Sequence, residues 1–478
     1  MKHLAIALLL AGLAVTQRCP PAIQIDAQPQ VFIMSDISNE PDDTQSFVRL
    51  LLHSDQYTIT GMVATTSYWL NSTTTPNAIL DLTTAYGAVV DNLNSHSAGT
   101  FPPPPTFPQS PNQGTPILHC QAWGGVNVLG EALAHVRGTR TQYDLEKFTR
   151  KIRVYTISDQ DNAGVWIRLN FPQIPYIASV HAWNQYSRAT WMGMSGDADT
   201  PGSDPSLVSP AYISQHFQRG PLGSLYPDTL YLMEGDSPAL LHTMQNGVNG
   251  GPQDHPEWGG WGGRYRLVDL SRQSMHYADT ADVVVGVDHV TYSSNQASVW
   301  RWRRAYQEEM AARVGWSLQG AGEGGSHPPV VGMNGSCGSG ALELEVQPGK
   351  EVVLDASGTW DPDADVAGHG GLGFKWWQYR DINTMQGTVD EVAQLNFTVM
   401  GGARGDVVTT RLPEAEVACA AGPGLWAPEG VQDVCEQYHV ILEVTGSGTP
   451  PIRRYKRAIL KVQPPPPQAA NARKRNEL

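Results

Sequence analysis

Apolar positions change their spacing repeatedly between residues 19 and 318. Short β-rich runs are each followed by a run with helical periodicity. The predicted strands are Val31–Met34, Thr58–Thr65, Ile117–Ala122, Ile152–Ile157 and Thr229–Met233, and the predicted helices are Pro41–His53, Val128–Val136, Ala163–Leu169, Pro238–Met244 and Asn295–Val314. This order predicts an α/β domain with a mostly parallel, open sheet.

The pattern changes after a Gly-rich linker at residues 319–330. Short apolar runs then alternate with Gly, Pro and Asp, which favours an all-β sandwich of the Ig type over residues 331–463. Its strands are expected at Leu342–Val346, Glu351–Leu354, Phe374–Tyr379, Val407–Thr410, His439–Val444 and Ala458–Val462. The Asp361–Asp365 turn resembles the turns of PKD-like sandwiches. Trp376 and Trp377 are adjacent strand positions, so they are expected on opposite faces.

The two ends of the chain predict its compartment. Residues 1–18 read as a signal peptide, with Lys2 before a short apolar run that ends in small residues. No later segment is long and apolar enough to span a bilayer, so we expect a secreted, extracellular protein without a membrane partner. Residues 464–478 are expected to be a disordered tail. Three sequons could carry glycans in a eukaryotic host: Asn71, Asn334 and Asn396.

Composition excludes some classes of partner. The chain has 32 basic and 46 acidic residues, a net charge of −14, which disfavours binding to nucleic acid. Tryptophan is frequent, with 14 Trp against 9 Phe. Of the five cysteines, Cys419 and Cys435 are the preferred disulfide pair. No CxxC spacing supports a zinc or redox site.

Polar residues follow each predicted strand of the α/β domain. In open α/β sheets, ligands bind outside the carboxyl ends of the strands. The five turns there are Ser35–Asp43, Thr65–Trp69, Trp123–Asn127, Ser158–Asn162 and Glu234–Pro238. They contribute carboxylates, amides, hydroxyls and indoles, so we expect the functional site at this edge.

The first turn carries four acids, Asp36, Glu40, Asp42 and Asp43. Part of this charge suits a helix start, because acids near an N-terminus complement the helix dipole. Four carboxylates in one turn would nevertheless repel each other without a cation. Ca²⁺, which prefers six to eight oxygen ligands, fits this composition, and Asp236 at a later strand end could complete the site.

These motifs resemble the nucleoside hydrolase fold: a D-D pair at the first turn, a T-T pair after the second strand, a G-x-x-N turn and a late Asp. The resemblance implies a Ca²⁺ site with Asp43, the Val126 carbonyl and Asp236 as ligands, and a sugar-hydroxyl contact from Asp42. The chain is more similar to secreted nucleoside-hydrolase-like proteins often labelled cellulose-binding, which add a C-terminal β-domain. The stretches that carry this similarity are SDISNEPDD, ATTSYW, AWGGVN, EGDSP, HPEWGGWGGRY, SNQASVWRWR, LDASGTWDPDAD and KWWQYR.

Two positions depart from the nucleosidase pattern. The family opens with D-x-D-x-x-x-D-D, and its second Asp, the usual ligand and base, falls on Ser38. Either Asp36 replaces it as base and metal ligand, or catalysis differs or is absent. Ser67-Tyr68-Trp69 stands where an Asn normally follows the T-T pair. Ordinary nucleosides are therefore doubtful substrates.

The Gly- and Trp-rich segment Asp254–Tyr265 is expected to fold over the same edge. Trp258, Trp261 and Arg264 would then contact substrate, and His255 or Glu257 would donate a proton to the leaving group. The alternative is an ordered loop whose indoles only cover the sheet.

A saccharide site follows from these interpretations. The remaining expected substrate contacts are Asn39, Trp69, Trp123, Asn127 and Asn162. We expect a glycosidase-like hydrolase that acts on a cell-wall polysaccharide or oligosaccharide, with Ca²⁺ as cofactor and Asp36 as base. The alternatives are a non-catalytic polysaccharide-binding protein and a ribonucleoside hydrolase.

Overall fold

The computed structural model describes residues 18–20, 28–97, 101–104, 117–181, 183–195, 200–249, 254–269, 271–320, 325–364, 371–382, 389–401, 404–420 and 434–464. The predicted leader and tail lie outside these residues, apart from Arg18 and Pro464. No helix in the described ranges combines the length and apolarity that a membrane span needs.

A seven-stranded sheet forms the centre of the first region. Its strands are β1 Gln30–Ser35, β2 Thr58–Ala64, β3 Leu118–Ala122, β4 Ile152–Thr156, β5 Tyr176–Ala178, β6 Tyr265–Leu267 and β7 His276–Asp279. They lie in the order β2-β1-β3-β4-β5-β7-β6, and all neighbours are parallel except β6 and β7. The predicted α/β fold with a mostly parallel sheet is confirmed.

Helices cover both faces of this sheet. They are α1 Pro41–Leu52, α2 Pro76–Gly87, α3 Val90–His96, α4 Asn127–Thr139, α5 Gln142–Thr149, α6 Ala163–Asn170, α7 Pro210–His216, α8 Gly220–Gly223, α9 Ser237–Thr243, α10 Ala297–Trp300 and α11 Arg303–Leu318. On β1, Val31 and Ile33 pack in the core with α1, α9 and α11, whereas Met34 packs in the core with α4–α6. Alternate strand residues thus supply two separate cores.

Two predicted elements differ from the structure. Thr229–Met233 is not a strand: Leu230 and Tyr231 are 65% and 62% exposed, and no partner strand covers them. The sheet continues instead through β5, β6 and β7, which are too short for their periodicity to identify them. The predicted helix Asn295–Val314 is divided into α10 and α11.

The second region forms two packed sheets. One contains β12 Leu342–Val346, β14 Gly373–Gln378, β19 Gln437–Thr445 and β20 Arg453–Val462, and the other β13 Glu351–Asp355, β15 Thr398–Val399 and β16 Val407–Arg411. Both sheets contribute to one apolar core, so the sandwich and its six predicted strands are confirmed. Smaller elements are β8 Asp282–Val285 with β9 Thr291–Ser294, β10 Gly332–Met333 with β11 Ser336–Cys337, β17 Cys419–Ala420 with β18 Val434–Cys435, and α12 Ala415–Ala418.

Disulfides join distant parts of the chain. The expected Cys419–Cys435 bond is present, and it ties β17 to β18. A second bond, Cys19–Cys337, was not anticipated and links the start of the chain to the sandwich region. Cys120 is a buried free thiol in β3.

The sandwich packs directly on the α/β region. Trp377 lies 5.7 Å from Trp302 between ring centroids, whereas Trp376 packs inside the sandwich, as their adjacent positions predicted. Arg454 also donates two hydrogen bonds, of 2.6 and 3.0 Å, to the buried carboxylate of Glu309 on α11. The two regions therefore share apolar contacts and buried charge.

We expect Glu309→Gln to destabilise both regions together, by about 3–5 kcal/mol, because it leaves the largely buried Arg454 without its counter-charge and Arg313 with Asp55 as its remaining carboxylate partner. Burial raises the pKa of Glu309, but the two guanidinium groups outweigh burial and hold the pKa far below its usual range. This contribution to stability is present above the unfolded pKa and declines as the pH falls. Urea unfolding followed by tryptophan fluorescence and by circular dichroism measures it.

Glu414→Gln is the matched control, since Glu414 is 65% exposed and pairs with Arg411 at the surface. A loss of less than about 1 kcal/mol is expected there. Two separate unfolding transitions in the unmodified protein would contradict the shared interface.

Candidate functional site

One strand end and two helix starts bring acidic side chains to the carboxyl edge of the sheet. Asp36 directly follows β1, Asp42 and Asp43 lie in the first turn of α1, and Asp236 precedes α9. Pro41 is the first residue of α1, and its fixed φ suits a helix start. The local sequence therefore directs the aspartates of two helix starts towards one point.

Asp42, Asp43 and Asp236 form a compact group. Each offers a carboxylate oxygen, and these atoms all lie within 4.8 Å of one another. All three side chains are buried, with exposures of 8%, 3% and 1%. We call these three residues the acid cluster.

The acid cluster is electrostatically unfavourable without a cation. Burial raises the pKa of Asp42 to about 7, and the charges of Glu40 and Asp36 add to this effect. Burial also raises the pKa of Asp43 and of Asp236 well above the usual range, and mutual repulsion is the next cause. Removing carboxylates from water and placing them together both disfavour their charged forms.

The acid cluster has the properties of a divalent-cation site. No Lys or Arg forms an ion pair with these carboxylates in the described part of the chain. Asp236 Oδ2 is buried and has no hydrogen-bond donor among the described atoms. Carboxylate oxygens are the ligands that Ca²⁺ prefers, so Asp42, Asp43 and Asp236 fit such an ion.

Asp36 lies beside the acid cluster and is not one of its three members. Its Oδ2 accepts a 2.5 Å hydrogen bond from Ser67 Oγ. A Cβ at Gly124 would lie 2.6 Å from Asp36 Oδ1, so only glycine fits against this carboxylate. The sequence predicts Asp36 as a metal ligand. The structure does not group it with the three candidate metal ligands. Its role as base stays a prediction.

A buried ion pair positions Asp236. Arg49 Nε and Nη2 donate to Glu234 at 2.5 and 2.9 Å, and both side chains are fully buried. Glu234 also accepts from Tyr226 and Ser237, and its φ of 50° is in the left-handed region. Arg49 lies on α1, the helix that carries Asp42 and Asp43. The pair therefore fixes the two halves of the acid cluster against each other.

Sequence reasoning missed the role of this pair. An arginine on the apolar face of a predicted helix is itself a signal, because a buried guanidinium needs a buried acceptor. The sequence gives no indication of which acid supplies the acceptor, since Glu234 is 185 positions away.

Aromatic rings, two of them exposed, lie near the acid cluster. Trp69 is 41% exposed, and its ring contacts Tyr68 at 5.2 Å and Tyr186 at 6.2 Å between centroids. Tyr186 contacts Trp191. The Trp191 ring and the Asp42 carboxylate both lie beside Gly235. We call Tyr68, Trp69 and Tyr186 the aromatic shelf. Tyr186 and Trp191 come from a segment without strand or helix periodicity, so no sequence pattern indicated them.

The predicted amide contacts occupy the same edge. Asn127 donates to the carbonyl and the hydroxyl of Thr66, both at 3.1 Å, while Asn162 is exposed at the start of α6. The backbone N–H of Asn39 donates to the Asp36 carbonyl within the first turn. The Val126 carbonyl, at the N-cap of α4, accepts from the Gly130 N–H, and its role as a metal ligand stays a prediction.

Two predicted sugar platforms are core residues. Trp123 is 1% exposed and packs edge-on against Phe47, with centroids 4.8 Å apart. Trp261 is also 1% exposed and lies between Tyr306 and Tyr455. The prediction that these indoles face substrate is wrong, because their faces are covered by other rings.

The first part of the Asp254–Tyr265 segment lies at the opposite end of the sheet. Asp254 pairs with Arg153 at the beginning of β4. His255 stacks on Trp258 at 3.9 Å and contacts Glu257 at 2.9 Å. The expectation that these side chains fold over the carboxyl edge is wrong, so neither His255 nor Glu257 is placed to protonate a leaving group there.

Arg264, from the second part of this segment, is also unavailable to a ligand. It is 4% exposed and donates to Asp282 at 2.6 Å and to the Ala281 carbonyl at 2.5 Å. Asp282 in turn accepts from Tyr379 of the sandwich. The guanidinium therefore supports the interface between the two regions, and its predicted contact with substrate is wrong.

Comparison with known proteins agrees with this architecture. Residues 30–118 and 109–265 match the family model described as cellulose-binding Sde182, nucleoside hydrolase-like domain. Residues 351–462 match the model described as cellulose-binding protein Sde0182, C-terminal domain. The chain belongs to this Sde182 family. Its nucleoside hydrolase-like part contains Asp36, the acid cluster and the aromatic shelf.

One solved relative of this Sde182-family chain covers the whole architecture. It is a nucleoside hydrolase-related hypothetical protein from Saccharophagus degradans that is associated with carbohydrate metabolism. The alignment has a TM-score of 0.69 and 25% identity, and it covers 91% of this chain and 100% of the other. No curated protein sequence matches the chain.

We expect Ca²⁺ to stabilise the protein in a pH-dependent way. Since the pKa of Asp42 is raised to about 7, its contribution to metal-free stability is present below its unfolded pKa and is lost as the pH rises through 7. Ca²⁺ at 100 times its Kd should add about 2.7 kcal/mol at pH 8 and much less at pH 5. Thermal unfolding with and without EDTA measures the difference.

Asp236→Asn should remove this calcium effect and stabilise the metal-free protein at pH 8, because it deletes one repelling charge. Asp159→Asn is the control: Asp159 follows β4 at the same edge but pairs with Arg168. An equal calcium shift in Asp236→Asn and the unmodified protein would exclude the acid cluster as the site.

We expect Arg49→Lys to destabilise the protein by about 3 kcal/mol, because an ammonium cannot make the forked contact with buried Glu234. Calcium affinity should fall as well, since Asp236 loses its support. Chemical unfolding and calorimetric titration measure the two effects. Arg168→Lys, at the more exposed Asp159 pair, should cost less than about 1 kcal/mol. An unchanged calcium affinity in Arg49→Lys would contradict the positioning role.

Proposed function

We propose that this protein is secreted, binds a cell-wall polysaccharide or oligosaccharide at the carboxyl edge of its sheet and hydrolyses a glycosidic bond there. The observation that carries the proposal is the position of the acid cluster next to the aromatic shelf. Buried carboxylates suit a cation and sugar hydroxyls, and exposed rings suit the apolar face of a pyranose. The cellulose-binding description of both family models supports a saccharide ligand.

Asp42, Asp43 and Asp236 would hold Ca²⁺ in the active protein. When bound, this ion supplies a positive charge that lowers the pKa of a bound water and attracts vicinal sugar hydroxyls. The three aspartates fix the position of that charge, and the Arg49–Glu234 pair keeps Asp236 in place.

Asp36 is the proposed general base. Burial raises its pKa above the usual range, while the hydrogen bond from Ser67 lowers it and orients Oδ2. A carboxylate whose pKa is raised is a stronger proton acceptor than an ordinary aspartate. Trp69 would hold the sugar ring as the anomeric carbon passes through an oxocarbenium-like state.

A non-catalytic polysaccharide-binding protein is the second candidate. Ser38, which stands at the position of the nucleosidase base, is exposed with a φ of 81°, and it offers no carboxylate. Asp36 is engaged with Ser67 and lies outside the acid cluster. A protein with these features could retain binding through the aromatic shelf and have no base.

Two disulfides support the secreted location within this proposal. Cys19–Cys337 and Cys419–Cys435 are both formed, and such bonds persist in oxidising compartments. Cys19 directly follows the predicted leader, so its bond to the sandwich would form only after export.

We expect Asp36→Asn to lower the rate of hydrolysis by about 10²–10⁴-fold with little change in saccharide binding, because it removes the proton acceptor and keeps the side-chain shape. Release of reducing ends from a panel of β-glucans and cello-oligosaccharides measures the rate. The assay contains about 5 mM CaCl₂, which is above the Kd of roughly 1 mM of the weakest protein calcium sites. Asp159→Asn is the matched control and should retain full activity.

Binding to insoluble cellulose separates the two candidates. If the unmodified protein releases no product and still binds, and Trp69→Ala abolishes binding, the non-catalytic candidate is correct. If product forms and Asp36→Asn is as active as the control, Asp36 is not the base.

A further inference from the structure

A second cleft lies at the far end of helix α4. This helix begins at Asn127 beside the acid cluster and ends at Thr139, a length of roughly 20 Å at 1.5 Å per residue. The cleft has a volume of about 250 Å³ and lies between α4, α5 and the start of β4. Its lining residues are Val136, Arg140, Asp144, Lys147, Phe148 and Lys151. It is therefore separate from the site at the carboxyl edge.

Three cations face this cleft without forming an ion pair in the described part of the chain. Arg140, Lys147 and Lys151 are exposed, and none of them forms an ion pair within the described ranges. The only acid in the lining, Asp144, accepts a 2.7 Å hydrogen bond from Thr141, which is the N-cap of α5. The cleft thus has a net positive charge.

The surrounding basic residues are engaged elsewhere. Arg137 donates to Asn170 and lies 4.9 Å over the ring of Trp166. Arg150 pairs with Glu146, and Arg153 pairs with Asp254. Attraction to the helix C-termini accounts for Arg140 after α4 and Lys151 after α5. Lys147 lies in the last turn of α5, so the same attraction applies to it, and the three cations at these helix ends line one cleft.

The charge of this surface contrasts with that of the whole chain. Between positions 137 and 153 there are six basic and two acidic residues, in a chain whose net charge is −14. Phe148, 39% exposed, adds a flat apolar face to the lining. Cations spaced along a cleft next to a ring fit a ligand with several anionic groups and an apolar ring face.

We propose that this cleft, defined by Arg140, Lys147, Phe148 and Lys151, is a second saccharide site that binds acidic, uronate-containing polysaccharide. The uronate carboxylates pair with the three cations, and a pyranose ring packs on Phe148. Nucleic acid is disfavoured, because the rest of this acidic surface would repel a long phosphate backbone. The two saccharide sites lie at opposite ends of α4, so a single polysaccharide-rich surface can engage both.

Affinity electrophoresis in gels that contain polygalacturonate tests the proposal. The unmodified protein should be retarded, and NaCl should weaken the effect steeply because the contacts are charge pairs. The triple variant Arg140→Gln, Lys147→Gln, Lys151→Gln should bind at least about tenfold more weakly, equivalent to 1.4 kcal/mol. Phe148→Ala should weaken binding without changing its salt dependence.

A matched triple variant, Arg219→Gln, Lys350→Gln, Lys375→Gln, removes the same charge from exposed positions elsewhere. It should bind polygalacturonate like the unmodified protein. Equal loss in both triple variants, or retardation by duplex DNA and anionic vesicles but not by polygalacturonate, would overturn the proposal. Asp43→Asn should retain binding to polygalacturonate, so failure at the acid cluster and failure at this cleft are distinguishable.

Discussion

The buried ion pair between Arg49 and Glu234 is the constraint on which the acid cluster depends. A charged pair with no exposed surface is held only if every donor and acceptor is matched, and here Tyr226, Ser237, Gln307 and the Tyr306 carbonyl complete the set. These contacts join α1, α11 and the turn before α9. The aspartates of α1 and the aspartate of that turn therefore meet at a fixed distance, although nearly two hundred residues separate them.

The same rigidity explains why repelling carboxylates remain together. Mutual repulsion and burial raise the pKa values of Asp42, Asp43 and Asp236, and the packed helices prevent the side chains from separating. The fold thus stores an unfavourable electrostatic interaction, which a divalent cation would relieve. Strain of this type is common where a site is arranged for a ligand in advance. The sandwich contributes from the other side, since it packs through Tyr455 and Trp377 against the core that supports α11.

The acids that the sequence predicted at the carboxyl edge, and that the structure brings together there, were those marked by local rules. Asp36, Asp42, Asp43 and Asp236 each follow a strand or open a helix, and parallel strands deliver their carboxyl ends to one edge. Trp69 was recognisable for the same reason. Trp123 and Trp261 were assigned to substrate from the same kind of local evidence, and both are buried, because an indole near a strand end can point inwards as easily as outwards. The prediction for the glycine-rich segment after residue 254 was wrong for a different reason. No local sequence pattern shows which end of a sheet a loop crosses.

By itself the sequence determined the α/β fold, the sandwich, four of the five strands predicted for the α/β region and the edge at which the acids converge. Hydrophobic periodicity and strand-end chemistry are local properties, so they can be read along the chain. Only the tertiary structure decided three features of the site. Ser67 donates a hydrogen bond to Asp36, Arg49 pairs with Glu234, and Tyr186 and Trp191 lie near the acids. These contacts join segments up to 185 positions apart. Which residues form these contacts depends on packing in three dimensions. The periodicity of residues along the chain does not contain this information.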